Sequence, residues 1–329
     1  MMRRDLLLAG LPGLTIPMAG RSVAANLYPS RPIAIIAPFS AGGSADAAAR
    51  LLAKHAPAHL PNKDATIAIE NRVGASGALG TNQVAHAEPD GYTLLLARTA
   101  SSAILPATDP RTPYSWDEFT MLGLLHASPF VVCVRSDAPW RHFAELIFAL
   151  REAPGRLTFA TTGPATILDL GVRQLFVANG LPIDAGTALP FAGGADAVGA
   201  VAMGQAHFIG SGLADAITGI TAKTVRPLLV SGPARHPLVP DAPTAKEAQS
   251  ESIDAIMGWS ALFAPRSLLP EIANCWTDAL ASLAMDRAWL EATRRQGSVP
   301  RVASPDATRD FVRGQVDMYR DLARRLGLV

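Results

Sequence analysis

Cysteine is nearly absent from this chain: 329 residues hold two, Cys133 and Cys275. Two thiols exclude a disulfide framework and any CxxC metal site. Cys133 falls in a strand-like apolar run and Cys275 in a helix-like stretch, so two buried thiols are expected rather than one bridge. Charge is also sparse. Charged residues make up 17 %, the net charge is +1, and no long basic run occurs. This argues against nucleic acid or an anionic membrane surface as the main partner. No apolar run reaches the ~20 residues a membrane span needs. Also missing are a G-x-S-x-G elbow, an H-E-x-x-H pair, a Walker motif and G-x-G-x-x-G. The seven histidines are scattered. No catalytic residue, metal or cofactor is therefore expected, and a hydrolase whose triad assembles only in three dimensions is the rival reading.

What the chain does have is 49 % hydrophobic content over a length that suits an α/β protein of about two domains. Its first residues read as an export signal over 1–24. Arg3 and Arg4 are basic, Leu6 to Met18 are largely apolar, and Ser22-Val23-Ala24 resembles a small-x-small cleavage site. The Arg pair also fits a twin-arginine signal loosely, and a buried first helix is the alternative. The mature protein is expected outside the cytoplasm.

The central stretch is Ala34-Ile35-Ile36-Ala37-Pro38-Phe39-Ser40-Ala41-Gly42-Gly43-Ser44-Ala45-Asp46. It reads as a buried strand, a small-residue loop, and the start of an alanine-rich helix. Such a loop presents backbone N–H groups at a helix N-terminus, where the peptide dipoles favour an anion. A small carboxylate suits it better than a nucleotide; a plain tight turn is the other reading. The pattern repeats. Strands are expected at Ala65 to Glu70 and Tyr92 to Ala97, with a helix from Ala78 to His86. The loops Asn71 to Gly77 and Arg98 to Ser102 follow strand ends, where ligands collect in parallel sheets. Phe119 to Arg135 reads as two extended runs split at Ser128-Pro129. Further on, a strand at Leu157 to Ala160 enters Thr161-Thr162-Gly163-Pro164, and a helix follows from Ile167. Strands are also expected at Ala188 to Phe191, Ala206 to Ile209, Val225 to Val230 and Ile256 to Ala264. Two or three helices close the chain, over Pro270 to Ala284, Arg287 to Gln296 and Pro305 to Leu326. The plan is two halves, each with an anion-ready loop.

Those residues resemble a known family. Tyr28-Pro29-x-Arg31-Pro32-Ile33, Pro38-Phe39-x-x-Gly42-Gly43-x-x-Asp46-x-x-x-Arg50 and Glu70-Asn71-Arg72-x-Gly74-Ala75-x-Gly77 are similar to the Bug-type solute receptors of tripartite tricarboxylate transporters. So are Pro89-Asp90-Gly91-Tyr92, Pro154-Gly155-Arg156-Leu157, Pro190-Phe191-x-Gly193-Gly194, Val239-Pro240-Asp241-Ala242-Pro243-Thr244 and Trp259-x-x-Leu262-Phe263-Ala264-Pro265. The resemblance runs from Tyr28 to the C-terminus. It implies an α/β, two-lobed periplasmic-binding-protein (Venus-flytrap) architecture with two mainly parallel sheets flanked by helices. Lobe I would comprise 27–126 plus 255–329, and lobe II 127–254. It implies a periplasmic, monomeric receptor that takes a small organic carboxylate to the transporter's membrane subunits. A sensor serving a signalling membrane protein is the alternative. Contacts implied in the first lobe are Phe39, Ser40, Gly42, Gly43 and Asp46; those in the second are Thr161, Thr162, Gly163 and Thr166. Ala192, the threonines at 161 and 162, and His207, which stands where an Asp is usual, depart from the family pattern and bear on the ligand's distal contacts.

Several of these positions carry a second reading. Asp46 is a helix-capping carboxylate as readily as a ligand contact, and could accept from an amino group. Thr99 and Ser101 are candidate hydroxyl donors or ordinary turn residues. Phe191 is a further candidate contact. His207 is a ligand or pH-sensing group, or a satisfied structural histidine. Arg98 ends a strand and could hold a carboxylate bidentately, against a structural ion pair.

Overall fold

The structure, a computed structural model, describes residues 28–164 and 166–328; the export signal expected over 1–24 lies outside them. In chain order the first elements are β1 (Ile33–Ala37), α1 (Ser44–His55), β2 (Ile67–Asn71), α2 (Ala78–Ala85), β3 (Thr93–Arg98) and α3 (Leu105–Thr108). Next come β4 (Phe119–Arg135), α4 (Phe143–Glu152), β5 (Leu157–Thr161), α5 (Ile167–Ala178), β6 (Gly186–Pro190) and α6 (Gly194–Ala202). Then follow β7 (Phe208–Gly212), α7 (Leu213–Thr221), β8 (Val225–Val230) and β9 (Met257–Pro265). The chain closes with α8 (Pro270–Leu283), α9 (Arg287–Arg295), β10 (Val299–Ala303) and α10 (Pro305–Arg325).

The alternation of buried residues along the strands explains the layers. Ile35, Ala37, Leu94 and Leu96 point into one apolar core with Leu52, Trp276, Leu280 and Trp289. Their neighbours Ile36, Leu95 and Ala97 point to the other, with Phe119, Met121 and Phe263. Successive strand side chains face opposite ways, so a strand that is apolar throughout needs cover on both faces, and helices supply it. Tyr28 anchors the first core. Its hydroxyl donates to the Gly91 carbonyl at 2.6 Å and accepts from Trp276 Nε1 at 2.7 Å. Burial pushes that phenol above its ordinary range.

The strands run β2-β1-β3-β9-β4-β7-β5-β6, with β8 and β10 also paired to β4. Each half holds a parallel triple: β2-β1-β3 in one and β6-β5-β7 in the other. The parallel character expected of the sheets holds for these triples. Antiparallel strands join them through β4. That strand is one unbroken element of 17 residues, roughly 55 Å at the usual rise per residue. The split expected at Ser128-Pro129 is instead a change of partners. Before it β4 pairs β9 and β10, and from Phe130 onward it pairs β7 and β8. A proline has no N–H for the ladder, so it sits where one set of partners ends.

Three elements escape a sequence reading: α3 with the π-helical turn Ala100–Ile104 before it, α7, and β10. Helix α7 contains Gly219 and the β-branched Ile217, Thr218, Ile220 and Thr221, which are weak helix formers. Its helicity comes from burying Leu213 and Ala216, and from Ser128 Oγ accepting the Ala214 N–H at 3.0 Å. Cys133 and Cys275 are both free thiols, Cys133 buried and Cys275 partly so.

Candidate ligand cleft

A cavity of about 380 Å³ opens where the loops after β1, β2, β3, β5, β6 and β7 meet. Four helix N-termini contribute to its wall. Gly43, Ser44 and Ala45 belong to the start of α1; Thr166, Ile167 and Leu168 to α5; Gly193, Gly194 and Ala195 to α6; Gly212 and Asp215 to α7. The first N–H groups of a helix have no intrahelical partner and carry the positive end of the dipole. Four such ends around one space form an anion cradle.

The loop after β1 is held open by Asp46. Its carboxylate accepts from the Gly42 N–H at 3.0 Å, Arg50 Nε at 2.9 Å and Asn71 Nδ2 at 3.1 Å. Burial alone would raise this carboxyl. The hydrogen bonds from Arg50, Gly42 and Asn71 outweigh that and hold it below the usual Asp value. Asn71 Nδ2 also donates to the Phe39 carbonyl at 2.9 Å, which stitches the first two loops together. The Phe39 ring lies across Gly77. A Cβ there would come 2.9 Å from Phe39 Cζ, and the backbone has φ +91°, a region that glycine adopts without steric cost.

Arg98 is, among the described residues, the one basic side chain on the cavity wall. Nη1 donates to Ser260 Oγ at 2.7 Å and Nη2 to Ser44 Oγ at 2.9 Å. Burial lowers its guanidinium from the ordinary arginine value, with Asp215 acting in the opposite sense; the group stays protonated. His126 is buried in β4, in register with Ser260. Burial, reinforced by the Arg98 charge, pushes its pKa down to about 3, so it is neutral.

The candidate residues divide. Phe39, Ser40, Gly42, Gly43, Thr99, Thr162 and Thr166 line the one cavity, so the two expected loops do share a crevice. Asp46 lies behind its loop, with its carboxylate used in the contacts above. Thr161 and Thr166 both donate to the Gly163 carbonyl, at 3.2 and 2.9 Å, and shape the second loop from beneath. Thr99 lines the cavity, yet its hydroxyl accepts the Trp259 N–H at 2.8 Å and points to the Met257 carbonyl at 3.4 Å. Ser101 is fully buried beside Gly77 and off the cavity wall. Phe191 is off the cavity wall and packs, partly buried, against the larger apolar core. His207 precedes β7, whereas the cavity lies at that strand's other end. Its Nδ1 meets the Thr158 N–H at 3.0 Å and the Thr158 hydroxyl at 2.8 Å. Residues the sequence reading leaves out of the site are Ser44, Ser128, Asp196 and Asp215. Asp196 and Asp215 sit in first turns of helices, a signal visible in sequence only for α6.

The sequence model of one family, described as "Tripartite tricarboxylate transporter family receptor", matches residues 49–328. Protein BugT of Bordetella pertussis is 27 % identical over 319 residues, covering 96 % of each chain. Among solved structures, the periplasmic binding protein BugD has a TM-score of 0.83 at 27 % identity, covering 92 % of this chain and 99 % of its own. MatC from Rhodopseudomonas palustris, solved with bound malate, has a TM-score of 0.81 at 25 % identity, covering 90 % and 99 %. Rpa4515 of R. palustris, solved with adipate, has 0.85 at 25 %, covering 91 % and 98 %. The fold is the two-lobed α/β arrangement of periplasmic binding proteins.

Proposed function

Because this chain belongs to the tripartite tricarboxylate transporter receptor family, we propose that it is the extracytoplasmic receptor that captures a small organic carboxylate in this cleft. It hands that solute to the membrane subunits of a tripartite transporter, and it binds without chemical change, as a periplasmic monomer. The observation that carries the reading is the meeting of four helix N-termini and the Arg98 guanidinium around one cavity. Such a wall stabilises a carboxylate through partial charges already in place. The malate and adipate of the two R. palustris structures support the ligand class.

The reading includes the motion. Lobe I comprises 27–126 and 255–329, lobe II 127–254, and β4 and β9 carry the chain between them. Ligand contacts available only when the lobes approach would favour the closed form. The test is a thermal-shift panel of organic acids. A ligand at a hundred times its Kd adds about 2.7 kcal/mol, so a true ligand should raise Tm by about 5–10 °C. No shift with any carboxylate, together with turnover of a metabolite mixture, would replace this reading with an enzyme.

A further inference from the structure

The cleft wall carries both signs of charge, and they stand on different halves of the sheet. Arg98 belongs to the half built on β1 and β3. Asp215 and Asp196 belong to the half built on β5 and β7, in the first turns of α7 and α6. Asp215 is seated over the glycine turn that opens α6. A Cβ at Gly194 would come 2.8 Å from its Cγ and 2.9 Å from its Oδ1. A Cβ at Gly212 would lie 3.7 Å from its Oδ2. Glycine at 194 thus leaves the room that this carboxylate fills. Among the described residues the Asp215 carboxylate accepts no hydrogen bond from a side chain and has no ion-pair partner within 4.0 Å. Arg98 is held by two serine hydroxyls rather than by a carboxylate. Asp215 is near enough to act on the Arg98 charge, yet the two form no ion pair, so each can take a group placed between them.

A diacid would satisfy Arg98 and bring its second carboxylate toward Asp215, where like charges repel. A protonated amine there would pair with it, and its N–H groups would donate to the carboxylate. We infer that the ligand is bipolar, its carboxylate on the Arg98 and Ser44 side and its ammonium toward Asp215, so that this cleft selects amino-carboxylates over diacids. The inference rests on the receptor reading above and narrows it. Asp196, at the exposed rim, adds to the same negative field.

Calorimetric titration of the purified protein tests it. The probes are L-α-amino acids and short ω-amino acids, set against diacids of matched chain length. An amino-carboxylate should bind at least about tenfold tighter than its matched diacid, in keeping with a charged hydrogen-bonded contact. Asp215→Asn should weaken that amino-carboxylate by about tenfold and tighten diacid binding. Diacids that bind the wild type more tightly, or an Asp215→Asn variant with unaltered amino-carboxylate affinity, would overturn the inference. The wild-type ranking decides it even if the variant fails to fold. Diacid binding alone sinks this inference and keeps the receptor; no binding by either class sinks the receptor.

Discussion

At the scale of the residue, Arg98 and Asp46 show how one cleft divides labour between contact and support. Arg98 reaches the cavity wall with both ends of its guanidinium fork fixed, by Ser260 and Ser44. A lysine has a single ammonium and cannot reproduce that planar fork. Arg98→Lys and Arg98→Ala should therefore both weaken carboxylate binding, the alanine by about 10- to 100-fold, as expected for loss of a charged hydrogen bond; titration of the wild-type ligand measures it. Asp46 acts differently. It ties Gly42, Arg50 and Asn71 together, so Asp46→Asn should cost about 0.5–2 kcal/mol of stability at neutral pH, the range of a lost cap. Its carboxyl is depressed in the folded state, so its stabilising contribution is present above the unfolded Asp pKa and disappears as pH falls through the lower folded value. Melting curves of wild type and Asp46→Asn should diverge at neutral pH and converge in acid below the usual Asp range. A gap of constant size down to the acid limit would assign Asp46 no such role.

At the scale of the element, β4 is the part on which both halves depend. Phe130 stands just past the change of partners, fully buried, with its ring against the backbones of Gly171 and Gly210. Truncation removes packing on two elements at once and leaves a cavity, so Phe130→Ala should cost about 3–5 kcal/mol. Urea titration should show a lower midpoint with an unchanged slope. Helix α6 offers the opposite experiment. Gly194→Ala places a methyl group 2.8 Å from Asp215 Cγ, and such overpacking costs about 1–3 kcal/mol. That variant should also displace the Asp215 carboxylate, so its ligand ranking should move in the same direction as that of Asp215→Asn.

At the scale of the whole molecule, one strand of 17 residues and its partner β9 link parallel triples that each end in helix N-termini. A lobe-closing receptor needs few connections and a pocket between its halves. Small-angle scattering should therefore show a smaller radius of gyration with saturating ligand than without it. Identical curves with a ligand already shown to bind would remove lobe closure from the account.

Much of this was legible along the chain. The αβ alternation, the glycine loop after β1 and the hydroxyl-rich loop after β5 follow from local signals: strand-to-helix changes of period, turn chemistry, and the rule that ligands gather beyond strand ends; their meeting in one cleft is what the family resemblance implies. Local signals say nothing about which polar groups a distant segment already occupies. Thr99 reads as a free hydroxyl until its contact with Trp259, 160 residues away, is seen. Arg98 reads equally as a carboxylate holder or an ion-pair residue until its contact with Ser260, 162 residues off, is seen. Helix α7 is written in poor helix formers, so neither it nor the placing of Asp215 over Gly194 is local information. The sequence by itself determined the cradle's ingredients, because backbone N–H groups at helix starts need only glycine, small residues and a following helix. Only the tertiary structure decided the signs of charge facing each other across the cavity, because that depends on packing between elements far apart in the chain.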